Sequence, residues 1–254
     1  MNLEGKVAIL TGACGGIGRA IVTKLVAEGA RVLTTDLCEA QLSALKEEFG
    51  EPVAVLSVDV TDHVQVNAMV ACAAQHFGRL DIMINNAAIG FPKPLLDHDP
   101  SQDFKRETAV NQKGVYYGIL AAARQFRAQG TPGVILNTSS VYGQMAAEMT
   151  FSYNVSKAAV DMMTKCAALE LAPHRIRVCA VAPGRVDTPL LHQYKELGLW
   201  DHIRREQMRE TFTRPAEIAD VVAFLASDAA NCINGCTVNA DDGFTSFKYP
   251  LLND

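Results

Sequence analysis

Apolar residues recur along this chain in two rhythms that alternate from end to end. Short, largely apolar runs, most with β-branched members, fall at residues 6–10, 31–35, 53–58, 80–84, 133–136, 176–181 and 237–239. Runs of that length and make-up read as buried strands. Between them lie longer stretches, residues 19–28, 39–49, 62–77, 101–128, 151–173 and 215–226, with the spacing of helices that turn one face to a core. Gly29 stops the first, Asp62 is placed to cap the third, and Pro173 closes the fifth. Seven strands alternating with six helices predict an α/β fold, a doubly wound parallel sheet covered on both faces. No linker, low-complexity tract, charge block or internal repeat interrupts the pattern, so one domain over residues 1–254 is expected. Residues 189–213 follow neither rhythm and read as an insertion before the last helix.

In an open parallel sheet, ligands bind beyond the carboxyl ends of the strands. The polar and glycine residues of interest collect there: Gly12, Gly16 and Gly18 after the first strand, Asp36 after the second, Asp59 and Val60 after the third, Asn85 and Asn86 after the fourth, Ser140 after the fifth, and Pro183-Gly184 after the sixth. Glycines between a strand and a helix allow a tight turn and let backbone N–H groups approach a pyrophosphate. A carboxylate at the tip of the second strand suits a ribose diol. The spacing here, Gly12-x3-Gly16-x-Gly18, is not the general GxGxxG. Tyr153 and Lys157 stand four apart on a predicted helix and so share a face, with Ser140 thirteen residues upstream of the tyrosine. An ammonium beside a phenol favours phenolate, so Lys157 is expected to lower the Tyr153 pKa towards the range where an acid/base works best.

Composition narrows the classes. A net charge of −5 without a basic stripe argues against a nucleic-acid partner. Seven cysteines at scattered spacings, with no CxxC and no histidine cluster, give no metal site; reduced thiols and a cytoplasmic location are the expectation. No charged N-terminal region followed by an apolar run marks a signal peptide, and no apolar run reaches the roughly 18 residues a membrane span needs.

The motifs together resemble the short-chain dehydrogenase/reductase family, over almost the whole chain. Its TGxxxGxG is matched by Thr11–Gly18, its NNAG by Asn85-Asn86-Ala87-Ala88, its catalytic asparagine by Asn111, its YxxxK by Tyr153–Lys157 and its PGxVxT by Pro183–Thr188. The resemblance implies a Rossmann fold and NAD(P)-dependent hydride transfer. By it, Tyr153 is the acid/base, Lys157 lowers its pKa and holds the nicotinamide ribose, and Ser140 binds the substrate oxygen. Asn111 would help hold a water linking Lys157 to solvent. The cofactor contacts it implies are Gly12, Cys14, Gly16, Ile17, Gly18, Asp36, Leu37, Asp59, Val60, Asn86, Ala87, Ala88, Tyr153, Lys157, Pro183, Gly184, Val186 and Thr188. Cys14 and Leu37 stand where NADPH-preferring relatives carry basic residues, and Asp36 would repel a 2′-phosphate, so NAD is favoured. Three positions depart from the pattern: Ala88 replaces a glycine, Asp241-Asp242-Gly243-Phe244 stands for DGG, and Asn154-Val155-Ser156 differs within the tyrosine motif.

The substrate implied is a secondary alcohol (a polyol, sugar or small hydroxy compound) or its ketone. The alternatives are a ketone or 3-oxoacyl reductase and, from another class, a dinucleotide-binding protein without catalysis. Ser140, Tyr142 and Tyr153 are the expected substrate contacts. Phe91, Gln144 and Met149, with His192, Tyr194 and Trp200 of the insertion, are further candidates for the pocket. Relatives are commonly homotetramers, and the small residues Ala158, Ala159, Ala167 and Ala168 suit close helix contact. The tail, residues 247–254, is expected to cover a neighbour or to fray.

Overall fold

The computed structural model describes residues 1–246; the reading of the tail falls outside them. Seven parallel strands form one sheet in the order β3-β2-β1-β4-β5-β6-β7. They are β1 (Val7–Thr11), β2 (Arg31–Asp36), β3 (Val53–Ser57), β4 (Ile82–Asn85), β5 (Gly133–Thr138), β6 (Ile176–Pro183) and β7 (Thr237–Ala240). All five β1 residues are buried, and their side chains alternate between two cores. Ala8 and Leu10 join α1 (Gly16–Ala27), α2 (Glu39–Phe49) and α9 (Pro215–Ala226) on one face. Val7 and Ile9 join α3 (His63–Phe77), α5 (Val115–Gln129) and α6 (Phe151–Leu171) on the other. The alternating sequence pattern thus produces a sheet wound on both sides, with its reversal of strand order between β1 and β4.

Asp62 caps α3 as its position implied: its Oδ1 accepts from Val64 N at 2.8 Å, and these backbone bonds hold its carboxyl below the usual range. Two helical readings are corrected. Helix α1 begins at Gly16, inside the glycine turn, where the residues lack an apolar rhythm. The stretch expected as one helix over residues 101–128 is instead α4 (Asp103–Glu107), a π-helical stretch Thr108–Gly114, and α5. Tertiary contact accounts for the break: a Cβ on Gly114 would stand 3.0 Å from Val60 Cγ2, and the Asn111 side chain is drawn onto a neighbouring loop. The insertion folds into two short helices, α7 (Pro189–Glu196) and α8 (Trp200–Arg205). It is tied down by Arg185 Nη2 to Glu206 Oε2 at 3.0 Å and by Arg209 Nε to Asp242 Oδ1 at 2.8 Å. Ala168 of α6, read as available for contact between helices of neighbouring subunits, is instead buried in the core.

Candidate active site

Beyond the carboxyl ends of the strands lies a cleft of about 560 Å³. Every residue named above for the cofactor lines it, as do Ser140 and Tyr142. The glycine turn is dictated by close approach. Gly12 adopts φ +66°, and a Cβ on it would stand 2.7 Å from Ala87 Cα. One on Gly16 would meet Thr188 Cγ2 at 2.8 Å, and one on Gly18 would collide with the Gly12 carbonyl. Asp36 closes the far side of the turn, accepting from Cys14 N at 2.9 Å and from Leu37 N at 2.8 Å. Burial first, and then the Asp36 carboxylate, push the Cys14 thiol up to about 12, so it stays protonated. A glycine cradle at a helix N-terminus with a carboxylate at the tip of β2 fits a dinucleotide.

The ends of β1, β4 and β5 are knitted by side chains. Thr11 Oγ1 accepts from Asn86 N and Ala87 N at 3.0 and 3.1 Å, and Thr138 Oγ1 donates to Asn86 Oδ1 at 3.2 Å. This network fixes the floor on which Ser140, Tyr153 and Lys157 stand. Lys157 is 1% exposed and donates from Nζ to the Thr138 carbonyl at 2.7 Å. Burial brings its pKa from 10.5 down to about 8, while Asp161 and Glu107 hold it up against that loss.

One expectation about this group is corrected. Lys157 does not bring the Tyr153 phenol down: its Nζ lies 5.5 Å from the ring centroid, and burial pushes the phenol up to about 12. The Ser140 hydroxyl opposes that rise, and Glu107 and Tyr194 add to it. Desolvation outweighs the Ser140 hydrogen bond, so Tyr153 is a protonated acid at neutral pH. The Asn111 side chain, for its part, does not line the cleft. Its Oδ1 accepts from Ile89 N at 2.8 Å, and its Nδ2 donates to Ile89 O at 2.7 Å and to Ser156 Oγ at 3.1 Å. The amide thus braces the loop after β4 against α6, which carries Tyr153.

The candidates for the substrate end divide. Phe91 and Tyr194 line the cleft. Gln144 instead exchanges hydrogen bonds with Asn239 at 2.8 and 3.1 Å. Met149 borders a separate void of about 10 Å³. His192 bonds Asp187 at 2.7 Å, and Trp200 packs on Phe212 with ring centroids 4.5 Å apart and on His192 at 5.5 Å. Aromatic residues of the insertion thus pack on one another more than on the cleft.

Two residues without a sequence signal also belong here. Glu107 is 4% exposed, with Oε1 accepting from Phe91 N at 2.9 Å; its Oε2 and the Ser152 hydroxyl have no partner among the described residues. Both residues border the 10 Å³ void, room for about one water. Burial pushes the Glu107 carboxyl up. Arg185, a variable position within PGxVxT, lines the cleft with its guanidinium 5.2 Å from each of the Tyr142 and Tyr194 ring centroids. No helix among the described residues is long and apolar enough to cross a membrane.

Comparison with known proteins agrees with this geometry. Residues 12–245 match the family model described as enoyl-(acyl carrier protein) reductase. A 3β-hydroxysteroid dehydrogenase of Eggerthella lenta is 37% identical, the match covering 96% of each chain. A 3-oxoacyl-[acyl-carrier-protein] reductase of Thermotoga maritima is 37% identical over 96% of this chain and 99% of its own. The crystal structure of a 3-ketoacyl-(acyl-carrier-protein) reductase from Brucella melitensis, complexed with NADH, superposes with a TM-score of 0.90 at 33% identity. That match covers 96% of this chain and all of the other. With the cradle, the Tyr153–Lys157 pair and these likenesses in hand, the chain belongs to the short-chain dehydrogenase/reductase family, and it is an oxidoreductase acting between CH–OH groups and ketones.

Proposed function

We propose that the chain is an NAD-dependent dehydrogenase that oxidises a secondary alcohol, with Tyr153 as its acid/base. The observation that carries the cofactor assignment is Asp36, whose carboxylate is oriented by the N–H groups of Cys14 and Leu37 and lines the cleft. A 2′-phosphate brought there meets like charge, whereas ribose hydroxyls meet an acceptor. The nicotinamide supplies the hydride-accepting carbon when bound; the remaining work falls to side chains. The glycine turn holds the pyrophosphate. Ser140 hydrogen-bonds the reacting oxygen and stabilises charge as it develops. Lys157, fixed on the Thr138 carbonyl, presents a buried positive charge beneath Tyr153. Tyr153 takes the alcohol proton in oxidation as phenolate, once its own proton has passed to solvent, and as phenol gives that proton to the ketone in reduction. Because its phenol is protonated at neutral pH, it is ready for the reductive direction first, which supports a ketone or 3-oxoacyl reductase as the second reading.

In this proposal residues 1–254 act as one unit, and α7 closes the substrate end with Leu190, Leu191, Gln193 and Tyr194. Exposed apolar residues on α5 and α6, among them Tyr116, Val155, Met162 and Leu169, support a homotetramer. Seven free cysteines suit a reducing cytoplasm. The test is NADH production from a panel of secondary alcohols, polyols and hydroxy compounds, with NAD and NADP in parallel and Tyr153→Phe as control. Turnover with NAD that the phenylalanine abolishes is expected. A wild type that binds NADH but oxidises nothing in the panel would sink the reading and leave a binding protein.

A further inference from the structure

The cleft carries its charges at opposite ends. Its lining carboxylates, Asp36 and Asp59, lie at the ends of β2 and β3. Its lining cations are Lys157, already engaged by the Thr138 carbonyl, and Arg185, which follows β6 on the other side of the sheet. Around Arg185 the walls present further donors, the Tyr142 and Tyr194 phenols, while the Gln193 amide is already given to the Gly90 and Leu190 carbonyls at 3.2 and 3.0 Å. Arg185 is itself 8% exposed, yet its one side-chain hydrogen bond runs from Nη2 to Glu206 Oε2, and Nε is buried with no partner among the described residues. The two tyrosine rings on the guanidinium hold its planar fork in one orientation. A desolvated guanidinium satisfied along one edge is poised for a second acceptor. Tyr142, which touches it, follows Ser140 by two residues, so that acceptor would belong to the molecule whose hydroxyl lies at Ser140 and Tyr153.

We propose that Arg185 determines substrate choice and that the substrate is a hydroxy acid, its carboxylate paired with Arg185 while its secondary hydroxyl is oxidised. The inference rests on reading the cleft as an alcohol-oxidising site. The carbinol carbon gives its hydride to NAD, the hydroxyl proton passes to Tyr153 as phenolate, its own proton having left to solvent, and the carboxylate takes no part in the redox step. The tyrosine hydroxyls complete the polar wall that a carboxylate needs.

The test compares kcat/KM for hydroxy acids of three to eight carbons with that for their primary amides, which keep the skeleton and lose the charge. The wild type is expected to favour the acids by about 10-fold or more, through KM, as a charge-assisted pair implies. R185Q should collapse the acid-to-amide ratio towards one, and R185K should retain part of it. E206Q removes the competing carboxylate and should lower KM for the acids. Equal use of acids and amides by the wild type, or a ratio that R185Q leaves unchanged, overturns the proposal and makes Arg185 a brace for the two tyrosines. If R185Q does not fold, the wild-type ratio and the E206Q shift still decide. Turnover of neutral alcohols without turnover of acids refutes this inference and leaves the dehydrogenase reading intact; no turnover of any alcohol refutes that reading itself.

Discussion

Lys157 is a charge the fold holds against its own preference, and the strain is measurable. In the unfolded chain its ammonium keeps its proton up to a pKa of 10.5; in the native protein burial brings that to about 8. A difference of that size corresponds to about 3 kcal/mol. Between the two values the unfolded chain binds more protons than the native one, so stability attributable to this residue rises with pH across that window. Below pH 8 the full penalty applies, and above 10.5 it is gone. Replacing Lys157 by methionine removes the titrating group and keeps much of the volume. It also leaves the Thr138 carbonyl without its donor, which costs about 1–3 kcal/mol at every pH. The informative quantity is therefore the difference in unfolding free energy between wild type and Lys157→Met, measured by urea denaturation from pH 7 to pH 10.5. The wild type should gain about 3 kcal/mol on the variant across that range. A difference constant to within about 0.5 kcal/mol would show that the ammonium is not desolvated as its burial requires.

Asp36→Ser should narrow the preference for NAD over NADP, measured as the ratio of kcat/KM values, by about 10-fold or more, because the like charge facing a 2′-phosphate is removed. An unchanged ratio rules out Asp36 as the discriminating group. Glu107→Gln tests the buried carboxylate that, when ionised, favours the protonated forms of both Tyr153 and Lys157. The acid limb of kcat/KM for alcohol oxidation should move to lower pH in that variant, and a limb that stays or moves upward contradicts the assignment.

Much of the scaffold was legible in the sequence because it is locally encoded. The β-branched runs and the cap at Asp62 report on their own neighbourhoods, so strand order apart, the elements follow from residues a few positions away. The polar positions at strand ends were legible for a related reason: strand ends of a parallel sheet share one edge. Burial of charge was not. Glu107 sits on a helix and Arg185 in a turn, where charged residues ordinarily meet water, and only the loop over Phe91 and the rings of Tyr142 and Tyr194 take them out of it. The same gap explains Tyr153. Spacing places a cation nearby, yet it carries no information about how far the surrounding protein strips solvent from the phenol, and that effect sets the direction. Trp200 misled for a third reason: an aromatic residue in an insertion has several partners to choose from, and here it found Phe212 and His192.

The widened turn at Thr108–Gly114 sets a condition on the chain that concerns number rather than kind of residue. A π turn closes its hydrogen-bonded ring one residue later than an α turn, so this helix houses a residue that a regular helix of the same length would not hold. Deleting one residue there would let the helix close regularly and would leave the residues on either side near their present faces, because the wide turn is what absorbs the additional one. Glu107 would keep the Phe91 loop and Val115 and Ile119 the core, so the cost would fall inside the turn itself. Asn111 sits inside the affected turn, with Ile89 and Ser156 waiting at fixed positions on two other elements. Chain length across these seven residues thus bears on how Asn111 is presented to those two partners, more than on the faces of the flanking helices.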